Sequence, residues 1–291
     1  MECILNLVDP QFEITQGLHY RMSVLLYQDG FSFLVTDAGS KRILKLASYK
    51  LLHSGIPGSE TSRWPGNGDA YFEQLKKTEF TQTAFSRIDI AVASHKITVA
   101  PYNFMTGGNM FDIMSAAHFV SDSEEILSES IFDLGPVAAI AFPGYVKEYC
   151  ETIFPGSILH AAPAVFIKGV VRNHAHLIAR QVFINVYSSF FEITVIQGSR
   201  LLYLNAFRYN APSDVLYYVI FVLEQLGFVP SEENITMMGD ISMNETIFTQ
   251  LKMYCASINF AAQPEGIEFA ETFDGIEIHK YFTLLNIPIC E

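Results

Sequence analysis

Residues 21–51 read RMSVLLYQDGFSFLVTDAGSKRILKLASYKL, and residues 181–209 read QVFINVYSSFFEITVIQGSRLLYLNAFRY. In each segment an apolar run ends in Tyr, a short polar turn leads to a run that begins with Phe, and a Gly-Ser turn with a cation precedes a third apolar run. The matching positions are Tyr27 and Tyr187, Gly39-Ser40 and Gly198-Ser199, and Lys41 and Arg200. A repeat after about 160 residues is too long for a solenoid, so we predict two lobes of similar topology.

Each copy is predicted to be a three-stranded meander. In the first copy Gln28-Asp29-Gly30 ends the first strand, and Asp-Gly favours a hairpin turn because Gly accepts a positive φ. A Gly- and Pro-rich loop at 53–69, ending in the helix cap Asp69, leads to a helix at 70–80. The apolar run at 137–142 predicts a strand buried on both faces, and it opens a parallel β-α-β-α arrangement.

These patterns predict the division of the chain. Residues 1–177 form an N-terminal lobe, in which 84–133 is an inserted subdomain that contains a hairpin at 87–99. Residues 178–291 form a C-terminal lobe with its own meander and β-α-β-α segment. The helix from Asp214 to Leu226 carries apolar residues on more than one face, so we predict that it is buried.

Composition limits the classes of partner. The chain has 291 residues, half of them apolar, and a formal net charge of −13, which disfavours binding to nucleic acid or anionic lipid. No apolar run reaches the roughly 18 residues of a membrane span, and Met1-Glu2-Cys3 lacks the basic start of a secretory signal. The four cysteines form no C-x-x-C pair, so neither a zinc site nor a disulfide scaffold is predicted. A cytoplasmic location fits these features.

Two lobes that each combine a meander with β-α-β-α resemble the actin-like ATPase (ribonuclease-H-like) fold, an α/β fold with a mixed sheet flanked by helices in each lobe. The chain also resembles an uncharacterised bacterial family described as having this fold and related in shape to actin-like proteins of pilus and secretion platforms. The resemblance covers most of residues 20–291. It implies a nucleotide site at the first turn of each meander, where active members carry Asp-x-Gly followed by small hydroxyl residues. The Asp orients Mg²⁺, and the Gly lets backbone N–H groups close on phosphate oxygens.

The chain departs from this motif in both copies. Leu25 stands at the Asp position of the first motif and Tyr27 at the Gly position, while Asn185 and Tyr187 occupy the same positions in the second. The turn expected to receive adenosine is Gly239-Asp240, which lacks a second Gly. Asp29 supplies the carboxylate if the register is shifted, and otherwise belongs to an ordinary Asp-Gly turn. The vestigial nucleotide-site positions are then Leu25, Tyr27, Gln28, Asp29, Asn185, Tyr187, Ser188, Gly239 and Asp240.

Other candidate chemistry is weak. His174 and His176 are two residues apart, which places them on one face only in a strand, whereas the segment is predicted to end a helix. Ser188 and Ser189 lack the G-x-S-x-G context of a nucleophile. We therefore expect no catalytic residue, no bound metal and no cofactor.

The sequence favours a non-enzymatic scaffold that acts through protein partners on a degenerate actin-like fold. The alternative is a small-molecule kinase or weak ATPase with a rearranged site that uses Asp29, Asn185 and Asp240. A third hypothesis is a binding protein for a different ligand in the cleft between the lobes.

Overall fold

The computed structural model describes residues 1–51, 64, 70–78, 80, 83–105, 109–132, 135–174, 176 and 178–289. Apart from Trp64, the predicted loop at 53–69 and its cap Asp69 lie outside the described residues. The strands are β1 Glu2–Val8, β2 Tyr20–Tyr27, β3 Gly30–Asp37, β4 Ile43–Lys50, β5 Arg87–Val92, β6 Ile97–Pro101, β7 Glu124–Ser130, β8 Pro136–Pro143, β9 Ile158–Ala161, β10 Arg180–Val186, β11 Phe190–Gln197, β12 Arg200–Arg208, β13 Asn234–Gly239 and β14 Ser257–Phe260. The α-helices are α1 Ala70–Lys76, α2 Tyr102–Met105, α3 Met110–Ala117, α4 Gly144–Ile153, α5 Ala162–His174, α6 Pro212–Gln225, α7 Thr246–Leu251 and α8 Phe282–Asn286.

The two large sheets share one topology. The first has the strand order β1-β4-β3-β2-β5-β9 and the second has β12-β11-β10-β13-β14. In both, an antiparallel meander is followed by two parallel strands, β5 and β9 in one and β13 and β14 in the other. Only β1, which adds to the outer edge of β4, lacks a counterpart. The protein therefore has the mixed α/β architecture that the sequence repeat predicts, with sheets flanked by helices.

The turns of the two meanders differ in detail. Gly30 was expected to supply a positive φ, but the glycines with positive φ in the described residues do not include it. Gly30 is required for another reason, because a Cβ at this position would lie 2.2 Å from the carbonyl oxygen of Tyr49. In the next turn the left-handed residue is Lys41 (φ 60) in the first copy and Gly198 (φ 58) in the second.

The prediction of a hairpin at 87–99 is wrong. β5 pairs in parallel with β2 and β9 in the first large sheet, whereas β6 pairs with β8 in a separate sheet of order β6-β8-β7. The strand at 137–142, expected in the large sheet, is thus the centre of the small one. Ile90 and Val92 of β5 are fully buried and fill the position that the repeat assigns to β13 in the other lobe. The small sheet is therefore built within residues 97–143, so that it includes β8 and excludes β5.

The helix α6 is buried on one face only. Val215, Val219 and Val222 are buried, while Tyr217 and Phe221 are exposed, so the prediction of burial on more than one face is wrong. Asp214 lies inside the first turn rather than at the cap, and its carboxylate accepts hydrogen bonds from the backbone N–H groups of residues 210 and 211 at 2.9 and 3.0 Å.

The C-terminal segment returns to the first lobe. The helix α8 packs against α5, and the Arg172 guanidinium donates a hydrogen bond to the carbonyl oxygen of Ile289 at 2.9 Å. The division of the chain between residues 177 and 178 stays a prediction, with this tail as a link across it.

Among the helices described, none combines the length and the apolar character that crossing a membrane requires.

Candidate functional site

A cavity of about 470 Å³ lies where the first turns of the two meanders face each other. Eight of the nine predicted nucleotide-site positions line it, and the ninth, Gln28, contacts the opposite turn beside it. The structure thus places together residues from both copies of the repeat. The remaining lining comes from β1, β3, β4, β10 and the C-terminal segment, namely Ile4, Leu5, Ser32, Ser48, Lys50, Val186, Gly275, Ile276, Glu277, Lys280, Tyr281, Thr283 and Leu284.

The first turn presents a tyrosine where the family motif has Gly. The hydroxyl of Tyr27 lies 3.3 Å from the Ser32 Oγ and 3.4 Å from the Ser48 Oγ, and the two serine oxygens are 2.7 Å apart. Burial raises the pKa of Tyr27 above its ordinary range, so the phenol stays neutral. Leu25 is buried in an apolar cluster with Leu284, so the Asp position of the motif holds no ligand for a cation.

The second turn is built around an amide. Asn185 Nδ2 donates hydrogen bonds to the Tyr187 hydroxyl at 3.1 Å and to Glu192 Oε2 at 3.0 Å. The ring of Tyr187 stacks on Phe190 with centroids 4.4 Å apart. The N–H groups of the amide that replaces the motif Asp are therefore used in hydrogen bonds within the protein.

The two turns contact each other directly. The Ser189 hydroxyl donates a hydrogen bond to Gln28 Oε1 at 2.9 Å, and the rings of Tyr27 and Tyr187 have centroids 6.4 Å apart. An ion pair between Lys50 and the Asp240 carboxylate also joins the two lobes. These contacts join the two turns at which the family motif would place phosphate groups, and Tyr27, Tyr187, Lys50 and Asp240 form part of the cavity wall.

Gln28 is held on its other side as well. Its Nε2 lies 3.4 Å from the Nδ1 of His95. Burial lowers the pKa of His95 to about 4, so the imidazole is neutral at pH 7 and its Nδ1 can accept from the amide. Both ends of the Gln28 side chain are thereby fixed in the orientation that meets Ser189.

Two further tyrosines hold the backbone of the turns. The hydroxyl of Tyr71 donates to the carbonyl oxygen of Gly30 at 2.7 Å, and that of Tyr209 donates to the carbonyl oxygen of Tyr187 at 2.7 Å. Each meander turn is thus supported by a tyrosine from a later part of its own lobe. Sequence reasoning missed both, since neither stands in the repeated segment's first turn.

Glu192 is the other residue that sequence reasoning missed. Its side chain is fully buried on β11, and its Oε1 has no hydrogen-bond partner among the described residues. Burial raises the pKa of Glu192 to about 7, although the hydrogen bond from Asn185 lowers it. The available signal was a single carboxylate inside the mostly apolar strand FFEITVIQ.

The turn expected to receive adenosine is tightly packed. Gly239 has a φ of +82, and a Cβ there would lie 2.1 Å from the carbonyl oxygen of Val186. The backbone N–H of Asp240 donates to the same oxygen at 2.8 Å. Gly239 is needed for this close approach of β13 to β10, while Asp240 carries a negative charge into the cavity.

Among the described residues no group of three or more His, Cys, Asp or Glu side chains could hold a metal ion. The ring of His174 packs against Phe183 at 5.0 Å, which gives it a packing role. His160 lies between Asp89 and Glu129, with its ring nitrogens 2.9 and 3.4 Å from their oxygens. Because Glu129 belongs to β7, this contact joins the small sheet to the large one.

The family described as "Protein of unknown function (DUF3822)" matches residues 9–258. The chain belongs to this family. No curated protein matches its sequence.

Two solved structures are similar over most of the chain. A protein from Bacteroides thetaiotaomicron with an actin-like ATPase fold and unknown function is 17% identical, with a TM-score of 0.75 over 97% of this chain and 100% of that one. The PilM-PilN type IV pilus biogenesis complex contains a chain that is 10% identical, with a TM-score of 0.65 over 92% of this chain and 97% of that one. At these identities the likeness establishes the actin-like fold of this DUF3822 protein.

Proposed function

We propose that the protein is a non-enzymatic scaffold, built on an actin-like fold whose nucleotide site is degenerate, and that it acts through protein partners. The observation that carries this proposal is the direct contact between the two meander turns. The hydrogen bond from Ser189 to Gln28 joins the two turns, and the rings of Tyr27 and Tyr187 form part of the cavity wall at the positions where the motif has Gly.

The energetics point the same way. A magnesium-nucleotide site in this fold uses an acidic residue and close backbone approach at each turn, and here Leu25 and Asn185 stand at the two acidic positions. Each lost charge-assisted contact is worth about 1.5–3 kcal/mol. Losing several of them shifts an ordinary micromolar affinity beyond the millimolar range, since every 1.4 kcal/mol or so is a factor of ten.

The structural neighbours support a role in assembly. PilM is found in a complex with PilN that serves type IV pilus biogenesis, so one protein of this fold works through a protein partner. By analogy, a protein partner is the best-supported ligand of the DUF3822 chain.

Calorimetric titration with magnesium-ATP tests the proposal. We expect no saturable heat at nucleotide concentrations up to about 1 mM. A dissociation constant below about 100 μM would contradict the proposal. The double variant Tyr27→Gly, Tyr187→Gly is the matched control, and it should also fail to bind, because the carboxylates would still be missing.

The runner-up function is a small-molecule kinase or weak ATPase with a rearranged site. It is favoured by Asp29, whose buried carboxylate lines the cavity and accepts no hydrogen bond from a described residue. Against it, Asp240 repels a polyphosphate and is already paired with Lys50. If magnesium-ATP binds and Asp29→Asn abolishes that binding, the kinase hypothesis replaces the scaffold hypothesis.

A further inference from the structure

A second cavity, of about 640 Å³, lies between the small sheet and the C-terminal lobe. Its two walls are edge strands, since β6 ends the order β6-β8-β7 and β12 ends the order β12-β11-β10-β13-β14. Edge strands present unpaired backbone N–H and C=O groups, which makes them templates for another strand. The backbone directions at these two edges determine which of them is available.

The edge of β6 is largely blocked. The hydrogen bond from the Ala141 N–H to the Lys96 carbonyl sets the alternation with β8, so residues 98 and 100 bond to β8 and residues 97, 99 and 101 point outward. The outward carbonyl of Ile97 is 2.8 Å from His118 Nε2, and Pro101 has no N–H to donate. Of the three outward residues, only Val99 has both its backbone N–H and its C=O available to an added strand.

The edge of β12 is more open. The hydrogen bond from the Tyr209 N–H to the Ser189 carbonyl sets the alternation with β11, so residues 203, 205 and 207 bond to β11 and residues 204, 206 and 208 point outward. The Ala206 N–H donates a hydrogen bond to the Asn205 Oδ1 at 2.9 Å. No hydrogen bond from another described element reaches the backbone of Leu204, which lines the cavity.

The chemistry of the cavity selects its occupant. β12 has nine residues, and those between its terminal arginines, Arg200 and Arg208, carry no charge. The lining contains apolar side chains such as Val99 and Phe132, together with Arg200, and includes no carboxylate. In a chain of net charge −13, a cavity with a cation and no acid favours an occupant that is apolar with a negative charge at one end.

We propose that β12 accepts an extended segment of a partner polypeptide as an added strand, with alternate apolar side chains in the cavity and an acidic residue near Arg200. This proposal rests on the scaffold function and names its partner class. Parts of β6 and β12 have Cα atoms within 8 Å of each other, closer than the roughly 10 Å between the two neighbours of an inserted strand. The added strand therefore lies where the two strands diverge and bonds to β12 alone, in the manner of β-augmentation.

A display library of random decapeptides provides the probe. Selection on the full chain should enrich peptides with alternating apolar residues and an Asp or Glu near one end. For a synthetic enriched peptide, Leu204→Pro should weaken binding at least tenfold in fluorescence anisotropy, because it removes an N–H that the sheet itself does not use. Arg200→Glu should weaken it about fivefold, and Arg200→Lys should retain most of it.

Asn6→Pro is the matched control, since Asn6 is an exposed residue with an outward N–H on the edge strand β1, and it should leave the affinity unchanged. Leu204→Pro also alters a packed side chain. A peptide with N-methyl groups on alternate amides therefore repeats the test on the unmodified protein, and one of the two methylation registers should abolish binding.

Three results would overturn the proposal: no enriched peptide, binding that survives both Leu204→Pro and N-methylation, or a dimer of the chain that Leu204→Pro dissociates. None of these results would bear on the proposed loss of nucleotide binding, which the magnesium-ATP titration tests separately.

Discussion

Replacing Glu192 with Gln should change how the stability of the protein depends on pH. Glu192 is fully buried, its Oε2 accepts a hydrogen bond from Asn185 at 3.0 Å, and its Oε1 has no partner among the described residues. One hydrogen bond does not offset the cost of removing a carboxylate from water. The pKa of Glu192 is consequently raised from 4.5 to about 7, with burial as the main cause.

The sign and size of the effect follow from linkage. A carboxyl group whose pKa is raised in the folded state binds its proton more tightly there than in the unfolded chain. Its stabilising contribution is therefore full below pH 4.5, falls as the pH rises, and is lost above about pH 7. One pKa unit is worth about 1.4 kcal/mol, so the whole loss is about 3 kcal/mol, of which roughly 2–3 kcal/mol falls between pH 5 and pH 8.

Urea unfolding at pH 5 and pH 8 measures this directly. The Glu192→Gln variant keeps the shape of the neutral acid but cannot ionise, so its free energy of unfolding relative to wild type should rise by about 2–3 kcal/mol between the two pH values. Glu265→Gln, at an exposed position, controls for the loss of a surface carboxylate. If the wild-type and Glu192→Gln curves run parallel across this range, Glu192 is ionised in the folded state without penalty and the reasoning is refuted.

Three other outcomes are expected. Val219→Asp buries an unpaired carboxyl and should lower the free energy of unfolding by several kcal/mol. Tyr217→Asp, at a side chain 62% exposed, should change the free energy of unfolding little, and equal effects of the two variants would mean that the burial of α6 is misassigned. Burial opposes the charged form of His160, but hydrogen bonds to two carboxylates raise its pKa to about 9. The stability that His160 contributes is therefore complete below pH 6.5 and should be lost as the pH rises through 9, and His160→Gln should remove this pH dependence from thermal melts. Gly239→Ala should destabilise the protein far more than Gly266→Ala. Both glycines have a positive φ, but of the two only Gly239 packs against backbone. Similar melting temperatures of the two variants would contradict this close approach.

The repeat identified the topology of both lobes because its evidence is local. Tyr27 is the last residue of β2 and Tyr187 directly follows β10, and the turns at these positions depend on residues a few positions away. The central strand of the first lobe was misassigned because 137–142 is a continuous apolar run, whereas 87–92 contains Arg87 and Asp89. Periodicity alone cannot say which sheet a strand joins. The repeat indicates the correct assignment of the central strand, since β5 follows α1 as β13 follows α6.

Repeat alignment identified the turns that line the cavity between the lobes, but it could not find the residues that fix those turns. Lys50 reaches Asp240 across 190 positions of sequence, and Tyr71 and Tyr209 reach the turns from later elements. Such contacts depend on how the lobes and helices pack, for which a single sequence gives no periodic signal. Glu192 was detectable in principle, as a carboxylate in a mostly apolar strand.

Both cavities are lined by residues of both lobes, so the geometry of the lobes affects both. β6 belongs to the small sheet of the first lobe and β12 to the second lobe, so the width of the proposed strand-binding cavity depends on the angle between the lobes. That angle is restrained at the cleft by the contact of Ser189 with Gln28 and the ion pair of Lys50 with Asp240. In an ATPase, direct contact between the turns would obstruct the substrate. In a scaffold the same contact restrains the distance between β12 and the opposite wall of the strand-binding cavity, which gives the contact between the turns a use without nucleotide.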